Sequence, residues 1–364
     1  MSKLAVVLFN LGGPDAPGSV KPFLFNLFND PAIIGVPNPM RWLLAKLISS
    51  RRAPVAQEIY AHLGGRSPLL ELTREQAAAL EARLNSPASG AAGGRGDDVR
   101  VFVAMRYWHP FAAETVNEVL AFAPDRVILL PLYPQFSTTT SASSLADWRR
   151  VAEAAGLRAP AAAVCCYPLE AGLVEAQARR VAAGLEKARA LGRPRVLFSA
   201  HGLPEKVIAG GDPYRWQVER TAEAVARRLN LALDQWVVCF QSRVGPLKWI
   251  GPSTDAEIQR AGADKVVPVV VPIAFVSEHS ETLVEIEIEY RELAEKSGAP
   301  GFVRVEAVGT QDDFIGGLAR VVREQAAMRT AGGKDHAIFS GCGSGARLCP
   351  RAFGRCPNPD GTGP

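Results

Sequence analysis

The feature that most constrains this chain is a regular alternation of short β-branched apolar runs with stretches of helical periodicity. Strand-length runs fall at Leu4–Phe9, Val99–Met105, Arg126–Leu132, Ala161–Cys165, Arg195–Ala200, Gln235–Gln241, Lys265–Val271 and Phe302–Ala307. Helical patterns separate them at Leu69–Leu84, Ala112–Phe122, Ser141–Ala155, Leu173–Arg189, Pro213–Leu229, Thr254–Ala261, Glu278–Lys296 and Gln311–Met328. Strands apolar on both flanks and joined through helices form parallel sheets covered on both faces. With 364 residues, and about 150 residues per domain as a prior, the pattern predicts an α/β fold of two doubly wound lobes with a cleft between them. The expected division is 1–158 for the first lobe and 159–310 for the second, with 311–330 packing back on the first. A cysteine-containing tail occupies 331–364.

Composition agrees with a packed core, at 48% apolar and 21% charged residues. The longest apolar runs, such as Val127–Leu132 and Val266–Val271, fall well short of the about 18 residues of a membrane span. The N-terminal stretch has the form of a strand rather than a secretory leader, so a cytoplasmic protein is expected. Lys and Arg number 41 against 37 Asp and Glu, a net charge of +4. The basic residues are scattered, which argues against nucleic acid and allows attraction to an anionic membrane surface or an acidic substrate.

Two segments break the alternation. Asn85–Asp98 is a Gly/Ser/Ala-rich surface loop. Pro22–Ser50 is dense in Phe, Ile, Leu and Trp and is interrupted by Pro31, Pro37 and Pro39. It reads either as helices packed on the sheet or as an exposed apolar lip for a greasy ligand or a membrane surface.

Candidate chemistry gathers in three places. His201 closes the run RVLFSA and opens the turn His-Gly-Leu-Pro, and ligands of open α/β sheets bind at the carboxyl ends of strands. In VPIAFVSEHSETLVEIEIEY, Glu278, Glu281, Glu285 and Glu289 fall on one helical face. Like charges at that spacing oppose a helix by roughly 0.2–0.5 kcal/mol per pair. The row is either a solvated face or a set of oxygen ligands for a divalent cation. With His201 and His279, it would suit a first-row transition metal. Finally, three of the six cysteines, Cys342, Cys349 and Cys356, crowd into the last 23 residues; structural disulfides are not expected in the cytosol.

The motifs LFNLGGPD, QEIYAHLGGRSPL, MRYWHP, LLPLYPQFSTTTSASS, FSAHGLPEKV, GDPY, CFQSRVGPLKWIGPSTD and PIAFVSEHSETLVEIEIEYRELA, in this order, resemble the ferrochelatase family, over about Leu4 to Val322. The resemblance implies two Rossmann-like lobes of the chelatase type. It also implies insertion of Fe²⁺, a substrate metal, into protoporphyrin IX to form protoheme, the terminal step of heme biosynthesis. His201 and Glu281 then match the iron pair and His279 the second histidine. Glu285 and Glu289 continue the acidic path, realigned by a π-type turn. Leu11, Arg51, Arg52, Tyr60, Ser67, Tyr107, Tyr133, Trp249 and Phe275 match porphyrin-pocket and lip positions.

The chemistry fits these residue types. A free-base porphyrin must lose two pyrrole protons as iron enters, and histidine titrates nearest neutrality. General-base catalysis of this kind contributes roughly 10²–10⁴-fold. Arg51 and Arg52 beside Tyr60 and Ser67 suit the porphyrin's carboxylates.

Some members of that family hold a [2Fe–2S] cluster with C-terminal cysteines, and such a cluster takes four ligands; the alternative is a tail of free thiols. The animal fourth cysteine is replaced here by Thr138, so Cys165 or Cys166 is the candidate for the fourth, with Cys239 more suited to the core; zinc is the rival occupant. The resemblance further implies a peripheral membrane surface on the inner face, the preceding oxidase of the heme pathway as a partner, and a monomer or homodimer. The alternatives are a chelatase for coproporphyrin III or another metal, and a non-catalytic porphyrin- or heme-binding iron–sulfur sensor. Retention of both His201 and Glu281 favours the enzyme.

Overall fold

The computed structural model describes residues 2–86, 98–243, 247–327, 337–340 and 347–358. The strands are β1 (Lys3–Asn10), β2 (Asp98–Met105), β3 (Arg126–Pro131), β4 (Ala161–Val164), β5 (Pro194–His201), β6 (Trp236–Gln241), β7 (Val267–Pro272), β8 (Val303–Arg304) and β9 (Ala337–Ser340). The helices are α1 (Val20–Phe28), α2 (Met40–Ala61), α3 (Leu69–Asn85), α4 (Ala112–Phe122), α5 (Ser141–Ala154), α6 (Ala171–Arg189), α7 (Glu205–Ala209), α8 (Tyr214–Arg228), α9 (Thr254–Ala263), α10 (Tyr290–Lys296) and α11 (Asp312–Ala327). A π-helix over Glu281–Glu289 leads directly into α10.

The chain forms two compact units. In the first, a parallel sheet runs β2-β1-β3-β4-β9. The chain starts at β1, goes to one neighbour, then returns to the other side, which is the doubly wound arrangement. Every residue of β1 after Lys3 is buried, which explains why its sequence reads as continuous rather than alternating apolar character. Ala5, Val7 and Phe9 pack one face against Val116 and Val119 of α4 and Leu145 and Trp148 of α5, with the Phe9 and Trp148 rings edge to face at 5.6 Å.

The second unit repeats the scheme with the parallel order β6-β5-β7-β8. Alternate residues of its strands face opposite ways. Val196, Phe198, Ala200, Val267, Val269 and Val271 meet Val181 and Leu185 of α6 and Val218, Ala222 and Val225 of α8. Leu197 and Val270 meet Ile258 of α9, Ile286 of the π-helix and Tyr290 and Ala294 of α10. Burial of both strand faces accounts for the wholly apolar sequence of β7, VPVVVP.

Boundaries differ from the sequence reading in ways that pairing explains. The first unit extends to Cys165 rather than ending at 158, because β4 pairs in parallel with β3. The return to the first unit falls inside α11, between Leu318 and Ala319. Strand β8 keeps only two residues of the expected Phe302–Ala307 run. Of the segment after 330, among the described residues, β9 adds to the first sheet, and 347–358 groups with the second unit. The Asn85–Asp98 loop lies mostly outside the described residues, as does Cys342.

Candidate active site

In the second unit, β5 lies between β6 and β7, the point where the winding reverses and where open α/β sheets bind ligands. His201 is the last residue of β5 and pairs in register with Gln241 of β6. The chain turns sharply here. Gly202 donates its N–H to the Gln241 carbonyl at 2.8 Å, and a Cβ at Gly202 would sit 2.9 Å from that oxygen, so only glycine fits. The Tyr214 hydroxyl donates to the His201 carbonyl at 3.1 Å.

The His201 Nδ1 lies 2.9 Å from Glu281 Oε2. Glu281 opens the π-helix, whose wider hydrogen bonding is seen where the Tyr290 N–H reaches the Glu285 carbonyl, an i to i+5 bond. The Ser242 hydroxyl bridges the acids, 3.0 Å from Glu281 Oε2 and 2.6 Å from Glu285 Oε2. Glu285 also accepts from the Ser242 N–H at 2.9 Å, Gln241 Nε2 at 3.0 Å and the Tyr290 hydroxyl at 3.0 Å. Ser242 holds this position with a positive φ of 60°, a conformation costly for a residue with a Cβ.

Electrostatics separate the three groups. Burial would lower the basicity of His201, but Glu281, through charge and hydrogen bond, and Glu285 outweigh it and raise its pKa above the ordinary value. Burial would raise Glu281, yet the His201 charge and hydrogen bond, with His279 and Ser242, hold its carboxyl down at about 2. Glu285 is pushed up by burial and by the neighbouring Glu281 charge. The pair is therefore an imidazole made more basic by a firmly ionised carboxylate. His201 retains 39% of its side-chain surface, so its ring is reachable, and Nδ1 is the nitrogen taken by Glu281.

The remaining acids do not form the expected row. Glu289, at the end of the π-helix, is exposed. Glu278 turns away to Arg304 at 2.9 Å and to the Ala307 N–H at 2.9 Å. Among the described residues, no group of three or more His, Cys, Asp or Glu side chains is set to hold a metal ion. His279 is buried, which lowers its pKa; its ring lies 4.5 Å from that of Phe275, and its Nδ1 has no hydrogen-bond partner. Trp249 backs the turn after His201, its ring edge 3.4 Å from where a Gly202 Cβ would be.

The first unit carries its expected residues at its own strand ends. Leu11 follows β1, Tyr107 follows β2 and Tyr133 follows β3. Gly12 has a φ of +84°, and a Cβ on Gly13 would stand 2.5 Å from Ser67, so this turn needs glycine to admit Ser67. Ser67 donates its N–H to the Pro14 carbonyl at 2.8 Å, and Tyr60 is buried beside Ala53 and Phe23. Arg51 and Arg52 are exposed on α2, with Arg52 over the Phe28 ring at 5.7 Å.

Tyr107 departs from the expected pocket wall. It is 1% exposed, and its hydroxyl donates to Asp30 Oδ2 at 2.8 Å. Asp30 is also paired with Arg106 at 2.8 Å. This buried network ties the end of α1 to the loop after β2. Asp30 and Arg106 were not singled out in the sequence, because a single Asp or Arg in a loop carries no periodic signal.

Pro22–Ser50 is partly packed and partly exposed. Phe23, Leu24 and Ala45 are buried, while Ile33, Met40, Trp42, Leu43 and Leu47 are exposed. The outer face is therefore apolar, with Lys46 over the Trp42 ring at 4.9 Å. Among the described residues, no helix is long and apolar enough to cross a membrane.

None of the five described cysteines is in a disulfide. Cys166 and Cys349 approach one amide, Gln217 Nε2, at 3.4 and 3.0 Å. Cys165 falls in the first unit, and Cys356 is buried. Cys239 sits in the core, accepting from the Thr254 hydroxyl at 3.3 Å.

This architecture is of the chelatase type. The sirohydrochlorin chelatase SirB of Bacillus subtilis subspecies spizizenii, in complex with cobalt, aligns with 90% of this chain and 96% of its own at a TM-score of 0.50 and 13% identity. SirB from Bacillus subtilis with Fe³⁺ aligns to the same extent, with a TM-score of 0.50 and 14% identity. At sequence level the match is far stronger. Residues 3–326 match the ferrochelatase family model. The ferrochelatase of Caulobacter vibrioides is 54% identical over 359 residues, 99% of this chain and 98% of its own. That of Phenylobacterium zucineum is 53% identical over 354 residues, 97% of each chain. The chain belongs to the ferrochelatase family.

Proposed function

We propose that the chain inserts Fe²⁺ into protoporphyrin IX to give protoheme, with His201 as the base. The observation that carries this is the 2.9 Å contact of His201 Nδ1 with the ionised Glu281 at the end of β5. In the neutral ring, Nδ1–H donates to Glu281, and Nε2 presents its lone pair to a pyrrole N–H. Glu281 fixes the tautomer and stabilises the imidazolium that forms. Glu285, held by Ser242, Gln241 and Tyr290, supplies a second oxygen site for the arriving metal. His279 and Phe275 contribute an apolar wall, and Trp249 braces the turn that aims His201.

In the first unit, Leu11, Tyr60, Ser67 and Tyr133 are assigned to the porphyrin body, and Arg51 and Arg52 to its propionates. The exposed Trp42–Leu43–Leu47 face is assigned to a peripheral membrane surface, from which an apolar porphyrin would arrive. A cytoplasmic protein on the inner face of the membrane suits that reading.

The reading is tested by anaerobic incubation of the protein with Fe²⁺ and either protoporphyrin IX or coproporphyrin III, following loss of porphyrin fluorescence and the product mass. Protoheme formed at the higher kcat/KM supports it. A preference for coproporphyrin III moves the substrate one step earlier in carboxylate removal, and no turnover with either favours a non-catalytic binder.

The [2Fe–2S] reading rests on the cysteine content of the tail. Cys166 and Cys349 converge on Gln217 and Cys356 is buried in the same unit, but among the described residues these thiols do not form a group set to hold a metal, and Cys342 lies outside the described residues. Cys166, rather than Cys165, is assigned as the fourth ligand, since it is the one that converges with the tail. Such a centre supplies a one-electron couple when bound. Metal insertion has no step that uses it, so its role is structural or sensory.

A further inference from the structure

The layer beneath the π-helix is apolar at Leu197, Ile258, Val270 and Ile286, yet it holds three polar side chains. Ser199, Gln241 and Thr254 are each fully buried. Ser199 lies two residues before His201 on β5, so the two side chains leave the same face of the sheet. Gln241 pairs in register with His201 across β6, and Thr254 is the first residue of α9.

Counting hydrogens gives these groups a single direction. Gln241 Nε2 lies 3.0 Å from Glu285 Oε2. A carboxylate only accepts, so the donor end of the amide faces it. The other end, Gln241 Oε1, lies 2.7 Å from Ser199 Oγ and can only accept, so Ser199 donates. That commits the one hydrogen of Ser199, whose Oγ therefore accepts from the Thr254 hydroxyl at 2.8 Å. Thr254 shares its own hydrogen between Ser199 and the more distant Cys239 sulfur at 3.3 Å. The chain runs from Thr254 through Ser199 and Gln241 to Glu285, the acid that the Ser242 hydroxyl bridges to Glu281. Reversed, it would set Gln241 Oε1 against a Glu285 oxygen, two acceptors face to face. Packing does not call for these groups. A β-branched apolar residue suits a buried strand position such as 199, and buried polar groups are costly unless every partner is present.

We propose that Ser199 is a positioning residue for the reaction at His201, acting through Gln241 to hold Glu285 and the Ser242 hydroxyl in place against Glu281. The inference deepens the reading of His201 and Glu281 as the basic pair and rests on it. Without the Ser199 hydroxyl, Gln241 Oε1 is buried with no donor, and the amide is no longer held with its N–H on Glu285. Glu285 and Ser242 then lose the bond that ties them to the strand carrying His201.

A double-mutant cycle on kcat, at saturating Fe²⁺ and porphyrin, tests this. Ser199→Ala should lower kcat about tenfold, the scale of one hydrogen bond, with the KM for porphyrin unchanged. Gln241→Met keeps the length of the side chain without its donor or acceptor, and should lower kcat at least as far. Adding Ser199→Ala to Gln241→Met should then cost no further activity. Ser199→Cys fills the same slot with a much weaker donor, and carries the measurement if the alanine variant fails to fold. Folded Ser199 variants with wild-type kcat overturn the positioning role and leave the basic pair standing. So does a loss of equal size in the Gln241→Met and wild-type backgrounds, which would make Ser199 a packing residue. Wild-type protein that metallates neither protoporphyrin IX nor coproporphyrin III overturns the basic pair and the role of Ser199 together.

Discussion

His201 Nδ1 stands 2.9 Å from Glu281 Oε2, joining the last residue of a central strand to the first residue of a π-helix. The contact raises the basicity of the imidazole and holds the carboxyl at about 2. It also leaves Nε2 as the ring nitrogen that Glu281 does not take. The strand end supplies a fixed position, and the π-helix supplies the charge.

His201→Ala should lower porphyrin metallation by at least about 10²-fold, the lower range for loss of a general base. The melting temperature should change little, because the ring is 39% exposed. Steady-state turnover at saturating Fe²⁺, with a thermal melt alongside, checks both halves. Near wild-type turnover would remove His201 from the mechanism.

Glu281→Gln should move the acid limb of kcat/KM to lower pH as well as reduce its plateau. His201 is raised because Glu281 outweighs burial; without that charge, burial lowers the ring's pKa, and the neutral base persists to lower pH. In wild type, the raised His201 contributes stability that is fully present below the unfolded value of about 6.5 and is lost as pH rises through its folded pKa. The depressed Glu281 contributes stability present above about 4.5 and lost as pH falls towards about 2. Urea unfolding from pH 2 to 9 should show both slopes in wild type, and the variant should lack the acidic one and, because its His201 is no longer raised, the alkaline one as well.

Ser242→Ala should be less stable than Ser242→Gly by about 1 kcal/mol, since both lose the hydroxyl and only glycine is relaxed at positive φ. Both should raise the KM for Fe²⁺ more than the KM for porphyrin, because the hydroxyl holds Glu281 and Glu285 together. Equal effects on the two KM values would assign Ser242 a purely structural part. Denaturant unfolding and two-substrate kinetics separate these outcomes.

Replacing Trp42 and Leu43 with Ser should weaken sedimentation with anionic liposomes while the melting temperature barely moves. Their side chains are 43% and 57% exposed, so little core packing is lost. A large fall in melting temperature with unchanged liposome binding would make them core residues.

Cys166→Ser should bleach the visible absorbance of anaerobically purified protein and remove about two irons per chain, on four-cysteine ligation of a two-iron centre. Cys165→Ser should leave colour and iron in place. Iron analysis of the two variants decides the fourth ligand, and the reverse pattern would transfer the assignment to Cys165.

By itself, the sequence determined the layered α/β fold. Strands such as β1 and β7 are buried on both faces and must therefore be apolar throughout, a pattern visible without any partner. His201 and Glu281 were legible because each ends a recognisable run within a family motif. What surrounds them was not. Ser242 and Gln241 lie about 40 residues from both, with no periodicity to mark them, and only the pairing of β5 with β6 brings them to the site. The acid row shows the same limit. Four glutamates at helical spacing look equivalent in sequence, yet Arg304 takes Glu278, solvent takes Glu289, and the loop after β6 takes Glu281 and Glu285. Likewise Tyr107 matched a pocket position until Asp30, far away in sequence, claimed its hydroxyl. Local periodicity dictates which face of an element is buried. Which polar groups meet depends on strand order and register, because these set the partners across the sheet, and tertiary structure alone fixes them.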